Sequence, residues 1–163
     1  MKFLSISILA AGVLAATAGH AAGVERKQSG PSAVIASSAM VPGGSKLFFL
    51  SGSTGSPTDP KDVDSPDAFG NTEAQTLSIL TKIKAQLAEL GLGMGDIVKL
   101  TVFLVGDPKM GGKMDRDGMT VSYKKFFGTP DQPNLPTRST VQVAALGRPQ
   151  TLVEIEAVAA KAP

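Results

Sequence analysis

Residues 135–159 read Leu-Pro-Thr-Arg-Ser-Thr-Val-Gln-Val-Ala-Ala-Leu-Gly-Arg-Pro-Gln-Thr-Leu-Val-Glu-Ile-Glu-Ala-Val-Ala, two alternating runs divided by Gly147-Arg148-Pro149-Gln150. Successive side chains of a strand point to opposite faces. In the first run Ser139, Val141 and Val143 therefore share one face, and Arg138, Thr140 and Gln142 the other. In the second, Val153, Ile155 and Ala157 form the apolar face and Glu154 and Glu156 its reverse. The Gly-Pro break suits a turn, so the two runs are expected to pair as a hairpin. With the apolar faces on a core, Arg138, Thr140, Glu154 and Glu156 would lie together on the other side of the sheet, as a small polar site on a rigid platform.

Working back along the chain, Ile97 to Val105 is apolar apart from Lys99 and Thr101, as expected of a central strand covered on one face. Met119, Tyr123, Phe126 and Phe127 recur at helical spacing, and this aromatic stripe reads as a core face before Pro130, Pro133 and Pro136 close the helix. An earlier helix is marked by Thr72 with Gln75 as a capping box, by Leu77, Leu80, Ile83, Leu87 and Leu90, and by Gly91 as a C-cap. The following Gly91-Leu92-Gly93-Met94-Gly95 leaves a helix and opens a strand, the reverse of a dinucleotide-binding turn, so it reads as a connection. Strands are also expected near 33–41 and over 46–50, turned by Pro42-Gly43-Gly44, with 51–70 a long loop. This order predicts an α+β layer with both helices on one side of a mixed sheet.

The Leu-Pro-Thr-Arg-Ser-Thr-Val-Gln-Val-Ala run followed by Val-Glu-Ile-Glu-Ala-Val-Ala resembles the C-terminal signature of the RidA (YjgF-type) family, the reactive-intermediate imine deaminases. Phe49-Leu50-Ser51-Gly52, Glu73-Ala74-Gln75-Thr76, the Gly95 to Leu104 segment and Tyr123-Lys124-Lys125-Phe126-Phe127 match it in the same order. The resemblance implies a chorismate-mutase-like domain over 33–160, assembled as a homotrimer with sites in the clefts between subunits. It gives Arg138 the duty of clamping a substrate carboxylate and Glu154 that of holding and activating the attacking water. Thr140 stands where the family usually has cysteine and joins Glu154 as a catalytic candidate. Gly52 borders the pocket and, with Ser53 in place of the family's glutamine, is a substrate-binding candidate. The family's early Gly-Pro-Tyr is here Gly30-Pro31-Ser32. The implied reaction is hydrolysis of 2-imino and 2-enamino acids to 2-oxo acids and ammonia, with no cofactor.

The chain opens with Lys2, an apolar run from Phe3 to Ala18 and Gly19-His20-Ala21, which together read as a signal peptide over 1–21 cleaved before Ala22. The alternative is a retained anchor, but a span needs about 20 consecutive apolar residues and this run is shorter and interrupted. A periplasmic or secreted protein is expected, free of the membrane after cleavage, with 22–32 a solvated tail. Removal of 21 of the 163 residues leaves 142, one domain with room for a core, and only Lys2 among the charges is lost, so +2 becomes +1. So small a charge gives no general attraction to nucleic acid.

Cysteine is absent and His20 is the sole histidine. The mature chain therefore holds no Ser-His or Cys-His nucleophile and no zinc site built on those ligands. Asp59, Asp62, Asp64 and Asp67, and the Asp115-Arg116-Asp117-Gly118 run, lack the spacing of a calcium loop and read as solvated turn acids, so no metal is expected. General acid and base work falls to carboxylates, lysines, Tyr123 or water. Imine hydrolysis suits so sparse a set, because a protonated C=N group is already electrophilic. The Arg138 fork fits a carboxylate through two parallel charge-assisted hydrogen bonds. Arginine and glutamate on strands can equally form an interfacial ion pair, worth little by itself. A trimeric module that binds small carboxylates or proteins without turnover is the alternative to an enzyme.

Overall fold

In the computed structural model, which describes residues 23–163, the elements run β1 (Glu25–Gln28), β2 (Ala36–Met40), β3 (Lys46–Thr54), α1 (Thr72–Glu89), β4 (Ile97–Val105), α2 (Arg116–Tyr123), β5 (Thr137–Val143) and β6 (Val153–Lys161). The expected signal segment lies outside the described residues. Residues 25–28, inside the stretch expected to be a solvated tail, instead form β1, which pairs antiparallel with β2. Arg26 fastens this ribbon to the domain by donating to the carbonyls of Gly95 and Ile97, at 2.8 and 3.3 Å.

The main sheet has the order β3-β6-β4-β5, with β5 parallel to β4 and β6 antiparallel to both its neighbours. The expected β5-β6 hairpin does not form. The connection between them, 144–152, is longer than the two to five residues usual for a hairpin loop, and it carries the chain past β4. Burial explains the choice. Val153, Ile155, Ala157 and Ala159 of β6 are all 0–2% exposed, so this strand needs a partner on each side. The polar β5 tolerates an edge.

Helices α1 and α2 cover one face of this sheet. Helix α1 lies against β3 and β6, and its Ile79, Leu80, Ile83 and Leu87 share one core with Leu100, Val102 and Leu104 of β4 and with Met119, Tyr123 and Phe127. Each such fully buried aliphatic side chain contributes about 1.5–3 kcal/mol. Leu77 and Leu90, expected on that stripe, are exposed, and Ile79 and Thr76 take the inner face. The α1 cap is Asn71, one residue before the expected Thr72, and its side chain accepts from the Ala74 amide. Gln75 is consequently free for a longer-range task. It donates to the Gly70 and Gln150 carbonyls and accepts from the Leu152 amide, pinning the entry to β6. The helix ends as expected: Gly91 has φ +68°, with its amide on Ala88 and the Leu92 amide on Leu87.

Among the described residues no helix covers the other face of the sheet. Phe49 is 77% exposed there and Val141 44%.

Candidate functional site

Two groups of side chains carry the expected chemistry, and they sit at opposite edges of the sheet. The first is at β5. Register pairs Arg138 with Leu100 and Thr140 with Val102, both fully buried β4 residues on the helix-covered face, so Arg138, Thr140 and Gln142 point toward α2. The Arg138 guanidinium lies 4.4 Å from the centre of the Tyr123 ring and its Nη1 is 3.6 Å from the Met119 sulfur. Tyr123 is itself stacked on Phe127 at 4.7 Å, which fixes the ring as a seat for the guanidinium.

Burial raises the Tyr123 hydroxyl to about 12, with the positive charge of Arg138 opposing the shift, so the ring stays neutral at physiological pH. Burial likewise lowers Arg138 from its usual value. Tyr123 opposes that change and the neighbouring Arg116 charge reinforces it. Arg138 remains protonated all the same. The ion pairs among the described residues are Lys109–Asp67 and Lys125–Glu73, so no carboxylate neutralises Arg138. Two further polar atoms nearby, the Tyr123 hydroxyl and Thr140 Oγ1, are buried without a hydrogen-bond partner. A part-buried, unpaired guanidinium beside unsatisfied hydroxyls is a receptor for an anion.

The second group lies at the β3 edge, on the uncovered face. Glu154 is in register with Phe103 and with Thr54, and its neighbours in sequence, Val153 and Ile155, face the helices. The β3-β6 register shifts between Leu50 and Ser53, so Ser51 and Gly52 bulge opposite Glu156. This bulge brings Gly52 against the Glu154 side chain, where a Cβ would collide with the carboxylate. Ser53 pairs with Ile155 and belongs to the helix-covered face, away from Glu154. Glu156 lines a separate depression of about 260 Å³ on the uncovered face with Phe49, Ser51, Lys99 and Thr101.

The single platform expected from the alternation is therefore corrected. Arg138 and Thr140 lie on one face, Glu154 and Glu156 on the other, and β4 runs between the two strands. Glu154 is level with Val141, three residues along from Arg138, so two strand spacings and that offset put the two backbones roughly 14 Å apart before their side chains diverge. Within one chain they do not meet.

The turn acids are engaged locally. Asp59 accepts from the Lys61 amide, Asp62 from both the amide and hydroxyl of Ser65, and Asp115 caps α2 through the Gly118 amide. Two residues of the β5 group were not singled out by sequence for this site. Tyr123 was read as core, which it is, but its ring also seats Arg138. Arg116 was read among turn acids, although its four- and seven-residue spacing to Thr120 and Tyr123 puts all three on one helix face.

A family model described as Endoribonuclease L-PSP matches residues 31–161. A RutC family protein of Pasteurella multocida is 36% identical over 106 residues, 65% of this chain and 74% of that protein. The Escherichia coli protein named 2-iminobutanoate/2-iminopropanoate deaminase is 36% identical over 107 residues, 64% of this chain and 73% of its own. Among solved structures, E. coli TdcF with bound serine superposes with a TM-score of 0.55 at 35% identity, over 74% of this chain and 84% of TdcF. With two helices on one face of a β3-β6-β4-β5 sheet and a match running from 31 to 161, the chain belongs to the Endoribonuclease L-PSP family, that of the RidA and YjgF proteins.

Proposed function

We propose that the protein hydrolyses reactive 2-imino acids, and the enamines that tautomerise to them, to 2-oxo acids and ammonia. The observation that carries this reading is Arg138: a part-buried guanidinium seated on Tyr123 with no carboxylate partner among the described residues. Relatives named as a reactive intermediate deaminase and as a 2-iminobutanoate/2-iminopropanoate deaminase support the choice of reaction.

Because Arg138 and Glu154 face opposite ways, the working site joins the β5 edge of one protomer to the β3-β6 bulge of the next, in a homotrimer. The open apolar residues of the uncovered face, Phe49 and Val141, favour such an assembly. Arg138 holds the substrate carboxylate through two parallel hydrogen bonds, with Thr140 Oγ1 as a further polar contact. Gly52 leaves the room in which the Glu154 carboxylate and a water meet the substrate. The water oxygen bonds to the imine carbon as its proton passes to Glu154, and the C=N pair moves to nitrogen. Return of that proton to the nitrogen of the protonated imine's adduct lets the C–N bond break as a lone pair of the new hydroxyl oxygen closes the C=O bond. The hydroxyl proton passes to Glu154, and ammonia leaves with a 2-oxo acid behind. No cofactor enters this sequence.

Ammonia release from freshly generated imino acids tests the reading: the protein should exceed the spontaneous rate, and a rate equal to the spontaneous one contradicts it. Binding without turnover is the second reading, favoured by TdcF, a relative whose structure holds serine, which carries a carboxylate and no imine. The ribonuclease activity in the family's description is not carried over, given a formal net charge of only +2. Export rests on residues 1–21 alone, and protein recovered from the cell envelope should begin at Ala22. An intact Met1 there contradicts export.

A further inference from the structure

We propose that the fully buried Gln75 of α1 is a positioning residue that sets the Glu154 carboxylate beside Gly52. This rests on the reading of Glu154 as the base that activates water, and deepens it by naming what holds that base in place.

Gln75 lies four residues before Ile79 and eight before Ile83 on the inner stripe of α1, and it is buried as fully as they are. An aliphatic side chain would fill such a position without stripping an amide of its water. The amide instead makes three hydrogen bonds. Nε2 donates to the Gly70 and Gln150 carbonyls at 3.0 and 2.9 Å, and Oε1 accepts from the Leu152 amide at 2.8 Å. A buried polar group satisfied this fully fixes one arrangement of the segments it joins.

Those segments lead to Glu154 from both sides. Leu152 is two residues before it, with its amide held by Gln75 and its carbonyl accepting from the Val105 amide of β4 at 2.9 Å. Here β6 enters from the 144–152 connection, and a slip of one residue in its register would turn Glu154 to the helix-covered face. On the β3 side, Thr54 is in register with Glu154, and Gly55 follows it directly. A Cβ on Gly55 would lie 3.1 Å from Gln75 Cγ and 3.3 Å from its Cα, so the end of β3 rests on the same residue. Lys82, further along α1, donates to the Thr54 carbonyl. Gly52, against which the Glu154 carboxylate lies, is three residues before Gly55. One side chain thus ties the strand that carries the base to the strand that leaves room for it. Arg138 is on β5 at the opposite edge of the sheet, and its partners Tyr123 and Met119 belong to α2.

Gln75→Met nearly keeps the volume and removes the three hydrogen bonds. Gln75→Asn, one methylene shorter, draws the amide back from its partners and serves should the first variant fail to fold. Calorimetry with 2-oxobutanoate counts the binding-competent clefts, and kcat with a freshly generated imino acid is read per cleft. A misplacement of about 1 Å far from the chemistry costs up to about 10²-fold, so kcat should fall about 10- to 100-fold while 2-oxobutanoate binding stays within about twofold. A crystal structure of the variant should show the carboxylate displaced from Gly52. Wild-type kcat per cleft overturns the assignment, as does a loss of binding that matches the loss of kcat, which marks general damage. If wild type releases no ammonia above the spontaneous rate, or Glu154→Gln keeps wild-type kcat, the reading of the base fails. The crystal structure then decides alone: a displaced Glu154 upholds Gln75 as its positioning residue, and an unmoved one overturns it.

Discussion

Arg138→Lys should lower imino-acid turnover, in kcat/KM, by about 5- to 150-fold, the 1–3 kcal/mol that a charged hydrogen bond contributes. Lysine keeps the positive charge, so long-range attraction of an anion survives. What is lost is the planar fork, which alone can offer two parallel donors to a carboxylate while lying flat on the Tyr123 ring 4.4 Å away. Thermal unfolding should move little, because the edge strand keeps its backbone pairing with β4. Steady-state rates with one imino acid, read beside the unfolding midpoint, check both parts. Turnover equal to wild type would remove the clamp from Arg138.

Glu154→Gln should cost more, about 10²- to 10⁴-fold in kcat, the range general-base catalysis supplies. Glutamine fills the same space beside Gly52 but cannot take a proton from water. Since that work is done in the transition state, binding of a 2-oxo acid should be nearly unaffected. Kinetics and calorimetry on the same preparation distinguish this from a structural defect, which would weaken both. A variant that retains wild-type kcat would move the base elsewhere.

The sequence was most legible where one physical signal sufficed. The apolar run Ile97–Val105 coincides with β4 residue for residue, and Gly91 ends α1 in the left-handed conformation its position requires. The polar site was misread at β5 because alternation sorts side chains onto two faces without saying which face is covered. Val141 looked like core and is open; Arg138 looked open and lies against α2. Pairing was equally hidden, since β6 owes its place between β3 and β4 to long-range burial of Val153, Ile155 and Ala157. The family likeness brought Arg138 and Glu154 into view as candidates, but no pattern in one chain could tell that they face apart.

The opposed faces of Arg138 and Glu154 make one demand that a single experiment can read. Arg138→Lys and Glu154→Gln chains, each impaired alone, should be co-expressed, purified as mixed particles and shown by light scattering to contain about three chains. If each cleft takes Arg138 from one protomer and Glu154 from its neighbour, random assortment restores both residues in about one cleft in four, and turnover should recover to about a quarter of wild type. Mixed trimers no more active than the two parents would contradict a site shared between protomers.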